Sequence, residues 1–262
     1  MNLDLKNKRA LVCGSTQGIG KAVALELAAM GAGVTLVARN EEALKKVKAE
    51  LPASGNQLHS YLCVDFSEPQ KLKELVQSFI QRVGPVNILV NNTGGPPSGP
   101  ITQARTDEFL SAFNNHLICN HLLTQACLEG MKNTGYGRII NIISTSVKQP
   151  LPNLGVSNTI RAAVANWAKT LANELGKDGI TVNNVLPGAT ATQRLSSIIQ
   201  NKAIKTNVGN DDVKKEMLHE IPLGRFAEAH EIAAAVAFLA SPAAAYINGI
   251  NLPVDGGRTG NL

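Results

Sequence analysis

The sequence is poor in charged residues and has no long apolar run. Asp, Glu, Lys and Arg together make up 17% of the 262 residues, a fraction that is low for a disordered chain. No apolar run reaches about 18 residues, so the sequence predicts no membrane-spanning segment. Residues 1–9 are polar and charged, unlike a secretory signal, and we therefore expect a cytoplasmic protein.

Cysteine is also scarce, and its spacing points to no special site. The four cysteines, Cys13, Cys63, Cys119 and Cys127, form no CxxC pair, so no metal site or redox pair is predicted. Two of them lie in apolar, strand-like runs, and all four are expected to be reduced, buried and inert. Because 44% of the residues are apolar, the chain can bury a large core.

Positive charge is in slight excess but is not concentrated anywhere. The net charge is +5 at pH 7, and no run of five like charges occurs. The lysines of segment 41–50, for example, are interspersed with glutamates. This scatter argues against nucleic acid as a partner, whereas a basic balance suits a phosphorylated cofactor or an acidic carrier protein.

Short apolar runs alternate with longer amphipathic segments along the chain. Such alternation predicts strands that are buried on both faces of a parallel sheet, with helices covering both faces. We therefore predict an α/β, three-layer, Rossmann-like doubly wound parallel sheet of about seven strands, in a single domain spanning residues 1–262. The predicted strands are 10–13, 33–38, 58–64, 88–90, 138–143, 181–186 and 250–254, and the predicted helices are 19–30, 41–51, 71–82, 107–132, 154–175 and 229–239.

The longest polar stretch, residues 201–212, lies between the sixth predicted strand and the last predicted helix. A mobile lid over a substrate would fit at this place in the chain, and so would an ordinary surface loop. The sequence leaves these two interpretations open.

A glycine-rich turn joins the first predicted strand to the first predicted helix. Residues 14–20 read Gly-Ser-Thr-Gln-Gly-Ile-Gly, and glycine lets the backbone turn sharply and approach a pyrophosphate closely. The N–H groups and the dipole at the start of the following helix attract the negative charge of such a group. The strand before this turn and the helix after it therefore predict a dinucleotide site.

The Gly-x-x-x-Gly-x-Gly spacing of this turn resembles that of the short-chain dehydrogenase/reductase family. Asn-Asn-Thr-Gly at 91–94 resembles the family's Asn-Asn-Ala-Gly element, and Pro187-Gly188 with Thr192 resembles its Pro-Gly-x-x-x-Thr element. The ending of the chain resembles the 3-oxoacyl-carrier-protein reductase branch, and the resemblance covers nearly the whole chain in order. The residues that we expect to bind the cofactor are Gly14, Ser15, Thr16, Gln17, Gly18, Ile19, Gly20, Arg39, Asp65, Asn92, Gly94, Arg161, Pro187, Gly188 and Thr192.

The second predicted strand ends with Ala38 and is followed by Arg39. An acidic residue here would bind the ribose 2′-hydroxyl of NAD, whereas an arginine can pair with the 2′-phosphate of NADP. We therefore expect NADP(H) to be preferred over NAD(H); a solvated arginine at the strand end is the alternative interpretation. The resemblance implies that Asp65 accepts a hydrogen bond from the adenine amino group, a role that competes with simple capping of a turn.

The resemblance also implies carbonyl reduction in which a serine holds the carbonyl oxygen, a tyrosine donates the proton and a lysine four residues later lowers the tyrosine pKa. Ser144 takes the serine position, with Ser146 as a nearby alternative. The tyrosine position holds Ser157 and the lysine position holds Arg161, in a register supported by Ala-Ala-Val at 162–164. Because a serine hydroxyl is a far weaker acid than a phenol and arginine keeps its proton, general acid catalysis must come from elsewhere.

Two residues are candidates for the missing proton donor. Lys148 follows Ser144 by four residues, and partial burial can lower a lysine pKa; a solvated loop lysine is the alternative. His116 falls at the family's asparagine position, and its imidazole titrates in the right range; a hydrogen-bonded helix residue is the alternative. The stiff loop 94–100, rich in Gly and Pro, fits either a wall of the substrate pocket or a rigid connection without substrate contact.

These observations leave two functions open. One is NADPH-dependent reduction of a small-molecule or acyl-carrier-bound carbonyl, such as a 3-oxoacyl thioester, by an altered but working site. The other is a non-enzymatic homologue that binds NADP(H) as a sensor or partner subunit. Apolar residues on more than one face of 154–175 leave one face for a partner chain, and the resemblance implies a homotetramer formed through the two long helices and the final strand.

Overall fold

The strands of the computed structural model, which describes residues 1–55 and 57–261, form one sheet. In these residues the strands are β1 (Arg9–Cys13), β2 (Gly33–Ala38), β3 (Ser60–Cys63), β4 (Ile88–Asn91), β5 (Gly137–Ile142), β6 (Ile180–Pro187) and β7 (Asn251–Val254). Their order across the sheet is β3-β2-β1-β4-β5-β6-β7, and every neighbouring pair is parallel. From β1 the chain first builds one half of the sheet with β2 and β3, and then builds the other half with β4 to β7. A crevice therefore opens beyond the carboxyl ends of β1 and β4, where the winding reverses.

Helices cover both faces of this sheet. They are α1 (Gly18–Ala29), α2 (Glu41–Glu50), α3 (Pro69–Val83), α4 (Thr106–Phe113), α5 (Cys119–Thr134), α6 (Gly155–Leu175), α7 (Gln193–Thr206), α8 (Asn210–His219) and α9 (Ala229–Ala240). Apolar side chains of α1, α2 and α9 pack on one face, and those of α3, α5 and α6 pack on the other. The predicted three-layer, Rossmann-like doubly wound sheet is therefore confirmed.

The predicted helix 107–132 contains an irregular turn. α4 and α5 are joined by one π-helical turn, Asn114–Ile118, and the backbone stays in the right-handed helical region across the junction. Turns of this kind widen a helix locally and are frequent at functional sites. Here the widened turn carries His116, whose side chain is buried.

The polar stretch 201–212 is helical rather than a loop. It contains the end of α7 and the start of α8, which are separated by residues 207–209, where Asn207 has a left-handed φ of 53°. α7 buries Leu195 and Ala203, and α8 buries Val213, so apolar periodicity is too sparse to reveal either helix in the sequence. The interpretation as an ordinary surface loop is therefore wrong, and a lid at this place would be a helical hairpin.

A row of four asparagine side chains, which we call the Asn ladder, crosses strands β4 to β7. Asn91 Nδ2 donates to Asn141 Oδ1 at 2.8 Å, and Asn141 Nδ2 donates to Asn184 Oδ1 at 2.9 Å. Asn184 Nδ2 donates in turn to Asn251 Oδ1 at 2.8 Å. The same residues are paired along the backbone, so the Asn ladder supports the register of the strands that end at the crevice.

Several expectations about special sites can be compared with the described residues. Cys13, Cys119 and Cys127 are buried as expected, but Cys63 is exposed because it ends β3, an edge strand of the sheet. No helix in this part of the chain is both long and apolar enough to cross a bilayer. Nor do these residues bring three His, Cys, Asp or Glu side chains together in a way that would hold a metal ion.

Candidate active site

The glycine turn after β1 brings the backbone close to the mouth of the crevice. Gly14 and Gly18 have φ values of 59° and 53°, which glycine adopts at no steric cost. A Cβ atom on Gly20 would collide with the Gly14 carbonyl oxygen, so a side chain does not fit there. In the described chain, Gln17 precedes α1 without a side-chain capping bond, and the first turn of α1 has no acidic residue. The first N–H groups of α1 are therefore available to an anion such as a pyrophosphate.

Neighbouring strands hold this turn in place. Ser15 Oγ accepts a hydrogen bond from the backbone N–H of Val37 in β2, with an N–O distance of 3.1 Å. Asn92, which follows β4, donates from Nδ2 to the carbonyl oxygens of Cys13 and Gly14, both at 3.2 Å. Ser15 and Asn92 thus position the turn from opposite sides. The other two residues of the turn, Thr16 and Ile19, are half-buried.

Arg39 and Asp65 lie beyond the ends of β2 and β3, at the same sheet edge as the glycine turn. Arg39 Nη1 is 3.6 Å from Asp65 Oδ2, and the Arg39 side chain is 79% exposed. The backbone N–H of Ser67 donates to Asp65 Oδ1 at 2.9 Å, and this bond, assisted by Arg39, holds the pKa of Asp65 below its usual value. Because an exposed ion pair of this kind is weak, the Arg39 guanidinium remains available to a phosphate.

Gly188 and Thr192 lie on the other side of the crevice, after β6 ends at Pro187. A Cβ atom on Gly188 would lie 2.7 Å from Asp255 Cα, so glycine lets the C-terminal segment pack against this turn. Thr192 caps the N-terminus of α7, and its Cγ2 lies 3.2 Å from the position that a Cβ atom on Gly18 would take. The start of α7 therefore faces the glycine turn.

Ser144 and Ser157, which stand at the family's serine and tyrosine positions, lie on different elements. Ser144 follows β5, and its Oγ accepts a hydrogen bond from the backbone N–H of Ser146 at 3.1 Å. Since this bond uses Oγ as an acceptor, the hydroxyl hydrogen can still be donated to a carbonyl oxygen. Ser157 is half-buried in the first turn of α6. Ser146, the alternative to Ser144, lines a cavity of about 470 Å³ beside α6, and its Oγ is buried with no hydrogen-bond partner in the described residues.

Arg161 lies one turn after Ser157 on α6 and points into the protein. Its side chain is only 8% exposed, and Nη1 donates to the carbonyl oxygen of Ile142 at 3.0 Å. Burial, and then the nearby charge of Arg194, lowers the pKa of Arg161 to about 10. Arg161 is therefore still protonated at neutral pH, and it places a fixed positive charge at the end of β5, two residues before Ser144.

His116 does not have the pKa that a proton donor at neutral pH requires. Its Nδ1 lies 2.5 Å from the Thr93 hydroxyl. Burial and the charge of Arg161 lower the pKa of His116 to about 2, against a smaller opposite effect of the Gly94 backbone. The ring is therefore neutral at physiological pH, which argues against the expectation that it titrates in the catalytic range. The alternative interpretation, a hydrogen-bonded helix residue, agrees with this geometry.

Lys148 follows a short 3-10 turn, Thr145–Val147, after β5. It is half-buried, and its carbonyl oxygen accepts a hydrogen bond from Asn261 Nδ2 at 2.9 Å. Within the described chain, its ammonium group has no ion pair or hydrogen bond that would hold it in one position. A role for Lys148 in proton transfer remains a prediction.

The loop 94–100 is tied to both helices that border the crevice. Gly99 N–H donates to the Asn153 carbonyl oxygen, just before α6, at 2.8 Å. Arg194 Nη2 in α7 donates to the Pro96 carbonyl oxygen at 2.8 Å. Arg194 is a site residue that the sequence analysis missed, and its only sequence signal is its place two residues after Thr192. The loop therefore borders the crevice together with a second arginine.

Comparisons with known proteins agree on the fold and differ on the substrate. The family profile described as Enoyl-(Acyl carrier protein) reductase matches residues 14–259. The 3-oxoacyl-(acyl-carrier-protein) reductase FabG of Haemophilus influenzae is 36% identical over 255 residues, which cover 97% of this chain and 98% of the relative. The crystal structure of L-sorbose reductase from Gluconobacter frateurii, complexed with NADPH and L-sorbose, has a TM-score of 0.92 and 30% identity, with 100% of both chains covered. YwfH, an NADPH-dependent reductase involved in bacilysin biosynthesis, has a TM-score of 0.91 and 29% identity, covering 97% of this chain and 99% of that chain.

Proposed function

This chain belongs to the short-chain dehydrogenase/reductase family, and we propose that it is an NADP(H)-dependent oxidoreductase that reduces a carbonyl by hydride transfer. The observation that carries this proposal is the meeting of the glycine turn, the start of α7 and Ser144 at one edge of the sheet. The substrate that we propose is a 3-oxoacyl thioester or a related ketone, either small or bound to an acyl carrier. The relatives named for 3-oxoacyl substrates support this choice.

The residues present fit a dinucleotide cofactor. The contact between Gly20 and the Gly14 carbonyl leaves no room for a side chain, and the uncapped start of α1 would bind the pyrophosphate of the cofactor. Thr192 would contact the same group from α7, and Asp65 would accept a hydrogen bond from adenine. Exposed Arg39 would pair with the 2′-phosphate of NADP, which is the cofactor named for the related YwfH and L-sorbose reductase.

The preference for NADP(H) depends on Arg39 and can be measured by binding. Hydrogen bonds to charged groups contribute about 1.5–3 kcal/mol, so Arg39→Ala should weaken NADPH binding by about tenfold or more. NADH affinity should change little, because NADH lacks the 2′-phosphate. Titration calorimetry with both nucleotides tests this, with the exposed Arg82→Ala as a matched control. Equal loss of NADPH and NADH affinity in Arg39→Ala would contradict the proposed contact.

In the proposed reaction, the protein holds the carbonyl oxygen while the bound NADPH supplies the hydride. The Ser144 hydroxyl donates a hydrogen bond to the carbonyl oxygen, and this bond strengthens as negative charge develops there. The fixed charge of Arg161, held at the end of β5 by the Ile142 carbonyl, would stabilise the same charge. The proton that completes the alcohol then comes from Lys148 or from water, because His116 is neutral and Ser157 is a weak acid.

Steady oxidation of NADPH in the presence of a carbonyl is the direct test of this function. We expect turnover with at least one member of a panel that contains a 3-oxoacyl thioester, a ketose and an oxo acid. Ser144→Ala should lower kcat by about 10²-fold or more, as removal of an oxyanion donor does, while the exposed Ser78→Ala should not. Tight NADPH binding without oxidation on any member would favour the alternative, a nucleotide-binding sensor or partner subunit.

A further inference from the structure

The crevice contains a buried positive charge that no carboxylate of the described chain neutralises. Arg161 is 8% exposed, and its hydrogen bond runs from Nη1 to a backbone carbonyl oxygen. In the described residues, neither Arg161 nor Arg194 lies within ion-pair distance of an Asp or Glu, whereas the exposed Arg105 and Arg225 both form ion pairs. A buried charge without an opposite charge is costly, so this arrangement calls for an anionic ligand.

The second arginine lies against the same small surface. Arg161 Nη2 and Arg194 Nη2 lie 3.9 Å and 3.4 Å from a single point, the position that a Cβ atom on Gly95 would take. Arg194 is held there by its bond to the Pro96 carbonyl, yet it remains exposed at the crevice. Gly95 therefore leaves a gap between two guanidinium groups, and this gap opens to solvent on the Arg194 side.

Two guanidinium groups that border one gap repel each other unless an anion lies between them. The charge of Arg194 contributes to the lowered pKa of Arg161, which is the electrostatic sign of this repulsion. A carboxylate accepts two parallel hydrogen bonds from guanidinium groups, and its negative charge would relieve the repulsion. A neutral thioester or sugar hydroxyl would leave the repulsion unchanged.

We propose that the carbonyl substrate carries a carboxylate, and that Arg161 and Arg194 bind this carboxylate together on the face of Gly95. The proposal rests on the proposed function and, among the ketones allowed there, selects a short oxo acid over a thioester. The reason for a short molecule is that the Ile142 carbonyl fixes Arg161 at the end of β5, only two residues before Ser144. The carboxylate and the reacting carbonyl must then lie within the same small part of the substrate.

A phosphate of the cofactor is the other source of negative charge for this pair. Thr192 faces Gly18 only two residues before Arg194, so Arg194 lies near the expected place of the pyrophosphate. The two sources differ in what they predict. If a cofactor phosphate lies between the two arginines, NADPH affinity should depend on Arg194. If a substrate carboxylate lies there, NADPH affinity should depend little on Arg194, and ligand binding should require a carboxylate.

Binding to the NADP⁺ complex separates these sources without requiring turnover. We would measure acetoacetate and 2-oxobutanoate against their methyl esters by titration calorimetry, in a buffer free of phosphate and other carboxylates. At least one acid should bind about tenfold or more tightly than its ester. Arg194→Ala should remove this preference and leave NADP⁺ affinity within about twofold, while the exposed Arg82→Ala should leave both unchanged.

Gly95→Ala tests the gap itself and keeps both arginines. The added methyl would meet Arg194 Nη2 at 3.4 Å, an ordinary contact distance, so the fold should tolerate it while the gap is filled. Gly176→Ala, at the far end of α6, is the matched control, because its methyl would also meet a side-chain nitrogen, of Asn248, at 3.4 Å. Gly95→Ala should lose the preference for the acid, and Gly176→Ala should keep it.

Several results would overturn the proposal. One is equal binding, or no binding, of the acid and its ester. Another is a preference for the acid that survives Arg194→Ala or Gly95→Ala. A third is a tenfold loss of NADP⁺ affinity in Arg194→Ala without loss of the preference for the acid. The last result would assign the pair to the cofactor. Failure of the proposed function is distinguishable, since it would appear as absence of NADPH oxidation while the binding preference is intact.

Discussion

At the residue scale, the exchange of tyrosine and lysine for Ser157 and Arg161 changes how charge and protons are supplied. A lysine can lower the pKa of a neighbouring phenol and can itself lose a proton when buried. Arg161 is buried, yet its pKa stays at about 10, so it holds positive charge without releasing a proton. In the proposed mechanism, Arg161 would thus stabilise an oxyanion, while the phenolic acid that the family resemblance implies is absent, because Ser157 stands at its position.

Restoring the tyrosine and the lysine together should restore that acid. We expect the double variant, Ser157→Tyr with Arg161→Lys, to raise the rate of reduction of a simple 3-oxoacyl thioester. Neither single change should suffice, because a phenol beside Arg161 lacks the ribose contact of lysine, and a lysine beside Ser157 has no phenol to activate. Steady-state kinetics of all four proteins should thus show strong non-additivity; two independent, additive single effects would contradict this account.

His116 should make the folded state sensitive to acid. Its pKa is about 2 in the folded protein and near 6.5 when unperturbed, so between these values the unfolded chain binds the extra proton. Above about pH 6.5, protonation of His116 therefore does not reduce the free energy of unfolding. Below that pH, this residue lowers the free energy of unfolding by at most about 1.4 kcal/mol per pH unit. Urea unfolding between about pH 7 and pH 4 should show a weaker pH dependence in His116→Gln, and parallel curves for the two proteins would refute the prediction.

At the scale of elements, the strands were readable from the sequence and the polar helices were not. Residues 10–13 in β1 and 88–90 in β4 are uninterrupted apolar runs, because both faces of the sheet are covered. α7 and α8 bury few side chains, and their polar sequence hides them. The same limit explains why Arg194 was missed: nothing local indicates that the start of α7 would bring it against Gly95, which lies 99 positions earlier in the printed sequence.

The Asn ladder should stabilise the β4–β7 part of the sheet. Asn141 both accepts from Asn91 and donates to Asn184, so Asn141→Ala would leave two buried polar groups without these partners. Each such group costs about 1–3 kcal/mol, and we expect a loss of about 2–4 kcal/mol in the free energy of unfolding.

Asn251→Ala is the matched control for this change. Asn251 lies in the half-exposed edge strand β7 and ends the Asn ladder. Its removal leaves a single group, Asn184 Nδ2, without its partner and should cost about 1–2 kcal/mol, roughly half of the loss in Asn141→Ala. Urea unfolding of both variants measures the difference. Equal losses would mean that the hydrogen bonds inside the Asn ladder contribute no more than its exposed end.

At the scale of the whole molecule, the surface of the isolated chain supports the prediction of a homotetramer. Leu110 and Phe113 project from α4 one turn apart with exposures of 61% and 38%, and exposed apolar pairs of this kind are typical of subunit contacts. All four residues of the edge strand β7 are half-exposed, and an unpaired strand edge is a ready contact for another chain.

Light scattering at micromolar concentration measures this assembly directly. We expect the mass of four chains, and we expect Leu110→Asp together with Phe113→Asp to yield smaller species because the new charges would be buried at the contact. Leu58→Asp, at an exposed leucine before β3, is the control and should leave the mass unchanged. A stable monomer of the unmodified protein would contradict the prediction.

The most direct test of the central claim, hydride transfer to a carbonyl by this altered site, follows the hydride itself. The protein would be incubated with NADPH deuterated at C4 of the nicotinamide and with a 3-oxoacyl thioester or a short oxo acid, and the products would be analysed by mass spectrometry. Our account predicts an alcohol that carries one deuterium on the former carbonyl carbon, and much less of it with Ser144→Ala. Bound NADPH whose deuterium never reaches any carbonyl substrate would contradict it.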